Sequence, residues 1–162
     1  MRPLEPVKMR HALDSRVRQL DRYVARLADS DVPDDVKALL ARFGAVQLCG
    51  FVERSVEIIV LERLTRRAHP RVIKFVKAHF KRGTNFDCEA ICQLLERFDL
   101  EWAKKYKSFV EANDSVKEAL SSAYTARNSI AHGGDQSLGS QRLIELYAET
   151  KKAVEAVVIA TA

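Results

Sequence analysis

The sequence predicts an all-α fold, an antiparallel bundle of five to seven helices. Three observations carry this. Six glycines and four prolines in 162 residues are too few for the turns of a β-sandwich. Apolar residues recur at intervals of three and four along most of the chain, the period of an amphipathic helix rather than of a strand. Between them stand mainly Ala, Leu, Glu, Arg and Lys, which lose little freedom on entering a helix. With 47% hydrophobic and 30% charged residues, the chain is not intrinsically disordered. A chain of this length buries roughly 70% of its unfolded surface, so residues 1–162 are read as one domain with its own core.

Each element has its own signal. Leu13, Val17, Leu20, Val24 and Leu27 line one face of a helix over residues 7–28, predicted to pack on the core. Asp31-Val32-Pro33 ends it, and Pro33 fits the first turn of the next helix, with Asp34 and Asp35 favourable at its N-terminus. That helix is predicted over Asp34 to Arg67, most apolar from Ala45 to Leu61. Each internal glycine costs about 1 kcal/mol relative to Ala, so Gly44 and Gly50 are expected to mark close helix packing or a kink. Glu53 and Glu57 share one face of this apolar stretch. Pro70 breaks the pattern, and Arg71 to Phe80 forms a short basic helix. Lys81-Arg82-Gly83-Thr84-Asn85 is a loop, with Asn85 the expected cap of the helix carrying Ile91, Leu94, Leu95 and Phe98. Asp99 restarts a helix with Trp102, Tyr106, Phe109 and Val110. After the turn and cap Asn113-Asp114-Ser115, the helix Val116 to His132 offers Val116, Leu120, Tyr124 and Ala131 for packing. Gly133-Gly134-Asp135 ends it. The last helix, Ser140 to Ala160, carries Leu143, Leu146, Tyr147, Val154, Val157 and Val158.

Charge is unevenly placed. The chain carries +5 overall, whereas residues 61–82 alone carry +7. Arg63, Arg66, Arg67, Arg71, Lys74, Lys77, Lys81 and Arg82 are therefore candidate RNA contacts, since a localised basic face is the footprint of a nucleic-acid binder. Trp102 and the phenylalanines are read as core rather than as base-stacking platforms. An odd count of three cysteines argues for reduced thiols. Cys88 and Cys92 share a helix face, but zinc needs a second ligand pair, so no metal is expected. No cofactor is expected either, and a small-molecule nucleotide binder is the weaker third reading because a Gly-rich phosphate loop is missing. No apolar run approaches the ~20 residues of a membrane span, and Met1-Arg2-Pro3-Leu4-Glu5-Pro6 has no apolar signal core. The expectation is a cytoplasmic protein without a membrane partner.

The most informative segment is Arg127-Asn128-Ser129-Ile130-Ala131-His132-Gly133-Gly134. Arginine presents a permanent charge and a planar fork suited to phosphate oxygens. Histidine moves protons near neutral pH. Together they supply what metal-free RNA cleavage requires. The spacing sets a constraint: five residues rotate by about 500° on a helix, leaving the two side chains roughly 140° apart. Either the helix ends before His132, or groups from two subunits complete the site. A second Arg and His at similar spacing, Arg63 and His69, lie in the basic stretch. Glu53, an acid within an apolar helix, is placed to orient Arg127 or His132, or else is a core or interface carboxylate paired with Arg54 or another cation.

Arg-Asn followed by Ala-His-Gly at the end of an amphipathic helix, with one final helix behind it, resembles the HEPN superfamily, and most closely its RiboL-PSP-HEPN type. Gly50-Phe51-Val52-Glu53-Arg54-Ser55 on the long helix and Asn85 ahead of the Ile91–Phe98 helix add to the likeness, which spans residues 44–154. The resemblance implies a metal-independent endoribonuclease that leaves 2′,3′-cyclic phosphate and 5′-hydroxyl ends. It implies a homodimer with one composite cleft, in which Arg127 holds phosphate, His132 transfers protons and Asn128 positions groups. It further implies a toxin or phage-defence setting, with an antitoxin or other operon-encoded partner. The alternative is a non-catalytic module of the same fold that binds protein or nucleic acid. One sub-group carries a modifiable Tyr two residues after the His. Gly134 stands there, so that mode of regulation is not expected.

Overall fold

In the computed structural model, residues 6–81, 83–134 and 138–162 are described. Among them the secondary structure is entirely helical: α1 (Pro6–Ala28), α2 (Asp34–Thr65), α3 (Pro70–Phe80), α4 (Cys88–Glu96), α5 (Leu100–Glu111), α6 (Asp114–Ala131) and α7 (Ser140–Ala160). The spine is α2, whose 32 residues run about 48 Å. It packs against α1, α3, α6 and α7, while α4 packs on α5. The long apolar run explains this role: Leu48, Val52, Val56, Ile59 and Val60 are buried together. They belong to one buried cluster with Leu13, Leu20 and Leu27 of α1, Ile91 and Leu95 of α4, Trp102 and Tyr106 of α5, Val116 and Leu120 of α6, and Leu143, Leu146 and Val157 of α7. Each such side chain contributes about 1.5–3 kcal/mol on burial. Among the described residues no helix is long and apolar enough to cross a membrane.

Several local expectations are corrected. Gly44 is a packing site, since a Cβ there would sit 2.0 Å from Leu143 Cδ2. Gly50 is not: it faces outward, with nothing within 4 Å of an added Cβ. Spacing alone does not say which side of α2 a glycine faces. Pro33 stands just before α2 rather than within its first turn, and its carbonyl accepts the Lys37 N–H at 2.9 Å. Pro70 begins α3, where its missing N–H is harmless, and His69 caps that helix. The cap of α4 is Asp87, whose carboxylate accepts the Ala90 N–H at 2.9 Å, and not Asn85, whose side chain is engaged elsewhere. Asn113 precedes α6, but its amide donates back to the Phe109 carbonyl at 2.7 Å, so it closes α5 instead of capping α6. Ala131 is exposed because the last turn of α6 runs past its packing neighbours. The Asp135 end of the turn after α6, and Arg82, lie outside the described residues.

Candidate active site

The site gathers around the last turn of α6 and the middle of α2. Arg127 projects from α6 toward α2 and reaches Glu53 Oε1 through Nη2 at 3.4 Å. The same Nη2 donates to Asn85 Oδ1 on the loop after α3. Its guanidinium carbon lies 5.4 Å from the centre of the Tyr124 ring, one turn earlier on α6, a cation–π arrangement. Tyr124 is itself fixed: its ring is buried and its hydroxyl donates to the Cys49 carbonyl of α2 at 3.5 Å. Arg127 is thus held from three directions while its side chain stays 27% exposed. Among the described residues only Nη2 is hydrogen-bonded, and the buried Nε has no partner. The unused Nη1 of a clamped, partly exposed guanidinium suits an incoming oxyanion.

Electrostatics follow from the partial burial. Desolvation raises the pKa of Glu53, and the charge of Arg127 offsets this only in part. Burial likewise pushes the Cys49 thiol up to about 12 and the Tyr124 phenol upward, so both stay protonated near neutrality. Glu53 pairs with Arg127, while its neighbour Arg54 pairs with Glu57 at 2.5 Å.

His132 is placed differently. The helix ends at Ala131, and His132 is the first residue beyond it, with φ −97° and ψ 14°. Its N–H donates to the Asn128 carbonyl at 3.1 Å, so Asn128 holds His132 through backbone. The two glycines make this stop. Gly133 takes φ +74°, a left-handed conformation that costs a side-chain-bearing residue about 1–2 kcal/mol. The Gly133 N–H donates to Ile130 and the Gly134 N–H to Ser129, at 3.2 and 2.8 Å. These are the two bonds of a Schellman cap. A Cβ on Gly134 would lie 2.3 Å from Ser129 Oγ. His132 is left exposed at a defined corner, the first residue past the end of α6.

Two further features frame this corner. On α2, Val36, Leu39, Phe43 and Val46 are 40–56% exposed. With Gly50 and Glu53 they alternate at three- and four-residue intervals, the seam pattern by which two helices pair. The seam therefore runs into Glu53 and the Arg127 site. The basic stretch, in contrast, divides. Arg63 is turned inward: its Nε donates to Thr161 Oγ1 and its Nη2 to the Val158 carbonyl, both at 3.2 Å. Its guanidinium thus ties α2 to the end of α7. Arg66 pairs with buried Glu62 at 3.4 Å. Arg67, Arg71, Lys74, Lys77 and Lys81 are exposed. Sequence reasoning missed Asn85 as a partner of Arg127, 42 residues away, for which no local signal exists. It also read Phe75 as core, whereas Phe75 is 76% exposed.

The family model described as RiboL-PSP-HEPN matches residues 11–162, extending the likeness over nearly the whole chain. No curated protein and no solved structure matches.

Proposed function

The chain belongs to the RiboL-PSP-HEPN family, and on that premise we propose that it is a metal-independent endoribonuclease acting as a homodimer. The observation that carries the reading is the contrast within the motif: a clamped, partly exposed Arg127 beside an exposed His132 at a glycine-locked helix end. A histidine buried against its own chain would instead have supported a binding module. The apolar seam of α2 that leads into Glu53 supports a two-fold pairing, bringing two motifs to one cleft.

In that cleft His132 removes the proton of an RNA 2′-hydroxyl. The 2′-oxygen attacks the adjacent phosphorus, and the bond to the 5′-oxygen breaks. The partner's His132 returns a proton to that oxygen. The products are a 2′,3′-cyclic phosphate and a 5′-hydroxyl. Arg127 stabilises the charge that builds on the phosphoryl oxygens, held in place by Glu53, Asn85 and Tyr124. Asn128 fixes the His132 backbone. An RNA-cleaving effector of this kind fits a toxin or phage-defence role, with an operon-encoded partner to restrain it.

Purified protein incubated with end-labelled RNA in EDTA tests this. Fragments with cyclic phosphate and 5′-hydroxyl ends are expected. Folded, dimeric protein that cuts none of a varied RNA set would overturn the nuclease reading in favour of a non-catalytic module. Strictly metal-dependent cutting would contradict the mechanism.

A further inference from the structure

Helix α3 leaves an unusual surface open to solvent. Its eleven residues contain no acid, and Arg71, Lys74 and Lys77 are exposed, as is Lys81 just beyond. Among the described residues these four cations form no ion pair. Between them stand Phe75, the most exposed large hydrophobic side chain described, and Val72, at 76% and 49% exposure. At about 100° per residue, Ile73, Val76 and Phe80 form the inward edge of α3, and Phe75 lies well away from it with Arg71 one turn beside it. Phe75 is therefore not a core residue slightly displaced. It is presented outward beside Arg71, at the edge of a face on which Lys74 and then Lys77 lie farther round the helix.

The position of α3 links this surface to the site. The chain leaves α2 at Thr65, and α3 packs back on α2. The loop after it delivers Asn85 to Arg127, which in turn reaches Glu53. From Glu53 to Thr65 is about 18 Å along α2, and α3 is about 16 Å long, so α3 spans the return journey. Its C-terminal end is anchored by Phe80 against Phe86, with ring centres 6.1 Å apart. A strand held on α3 would lead directly to the Arg127 corner.

We propose that α3 is the substrate-docking helix, with Phe75 stacking on an unpaired base, Arg71 and Lys74 contacting the phosphates beside it and Lys77 a phosphate farther round the helix, so that the protein engages single-stranded RNA. The inference rests on the nuclease reading for its ligand. Cations alone would serve any polyanion. An exposed ring set among them adds a preference for bases free to stack, because every base offers a π-face and a duplex hides it.

The test uses the full chain and a labelled 16-nucleotide 2′-O-methyl RNA, which lacks the attacking hydroxyl and stays intact whether or not the protein is a nuclease. Fluorescence anisotropy is measured across a salt series, with the matching duplex and with phosphatidylserine vesicles as further probes. Phe75→Ala should weaken single-strand binding about tenfold and leave the salt slope and duplex binding unchanged. Phe75→Trp should restore binding and Phe75→Leu should not. The pair Lys74→Gln/Lys77→Gln should reduce the salt slope by about 1.4, at roughly 0.7 per phosphate on a single strand. Wild-type failure to bind the strand, equal binding by Phe75→Ala, or rescue by Phe75→Leu would each overturn the proposal. So would vesicle binding that depends on Phe75 while strand binding does not. Strand binding through Phe75 without cleavage of ordinary RNA would sink the nuclease reading and leave this one standing.

Discussion

The chain contains the same pair of residues twice at similar spacing, Arg63 with His69 and Arg127 with His132, and the fold gives the two pairs opposite fates. Arg63 is turned inward onto the end of α7. His69 caps α3, its Nδ1 accepting the Arg71 N–H at 3.2 Å. Both are consumed by structure. Arg127 is also held, but through one nitrogen, and among the described residues its companion His132 is hydrogen-bonded only through its backbone. The difference teaches that spacing is not the signal. What distinguishes the pairs is the element that follows. Gly133 and Gly134 stop α6 so that His132 stands free, whereas Pro70 starts a new helix and recruits His69 to cap it.

The comparison is broken or sharpened by substitution at both pairs. The largest effect is expected at the α6 pair: Arg127→Ala and His132→Ala should each lower RNA cleavage about 10²–10⁴-fold, measured on folded protein. Next comes Arg63→Ala, which should cost about 1–2 kcal/mol of stability through lost hydrogen bonds from a charged group, read from urea denaturation, with cleavage unchanged. Gly133→Ala should cost about 1 kcal/mol and, by shifting the corner, reduce cleavage more than that stability loss accounts for. The smallest effect is at His69→Ala, about 0.5 kcal/mol as for a weak cap, again with cleavage intact.

Glu53 gives a pH-dependent version of the same test. Its folded pKa is raised, so the folded state binds its proton more readily than the unfolded chain does. The stability this contributes is present at low pH and lost as pH rises through the folded value. Glu53→Gln lacks that loss. The stability of the variant relative to wild type should therefore increase as pH climbs above the ordinary value of 4.5. A relative stability that falls over this range would mean that the pairing with Arg127 outweighs burial.

Much of this was legible in the sequence, because helices announce themselves by period and glycine pairs by their freedom. The faces of α1 and α7 and the stop after α6 follow from local chemistry. What was not legible depends on contacts between distant segments. Gly44 and Gly50 look alike until Leu143 is seen against one of them. Asn85 reads as a cap because the sequence does not show Arg127 approaching. Glu53 had two readings, orienting group or simple ion-pair partner, and the Arg54 half of the second fails because Arg54 turns to Glu57. Arg63 and Lys74 carry the same charge in one basic run, and only packing decides that one is enclosed and the other open.

The most direct measurement places the four alanine variants, Arg63→Ala, His69→Ala, Arg127→Ala and His132→Ala, beside wild type on labelled RNA in EDTA, with folding checked and end groups mapped. The account predicts cyclic phosphate products from wild type and from the first two variants, and cleavage slowed at least about 10²-fold in the last two. Cleavage near the wild-type rate in Arg127→Ala and His132→Ala, or cleavage lost in Arg63→Ala and His69→Ala while the fold holds, would contradict it.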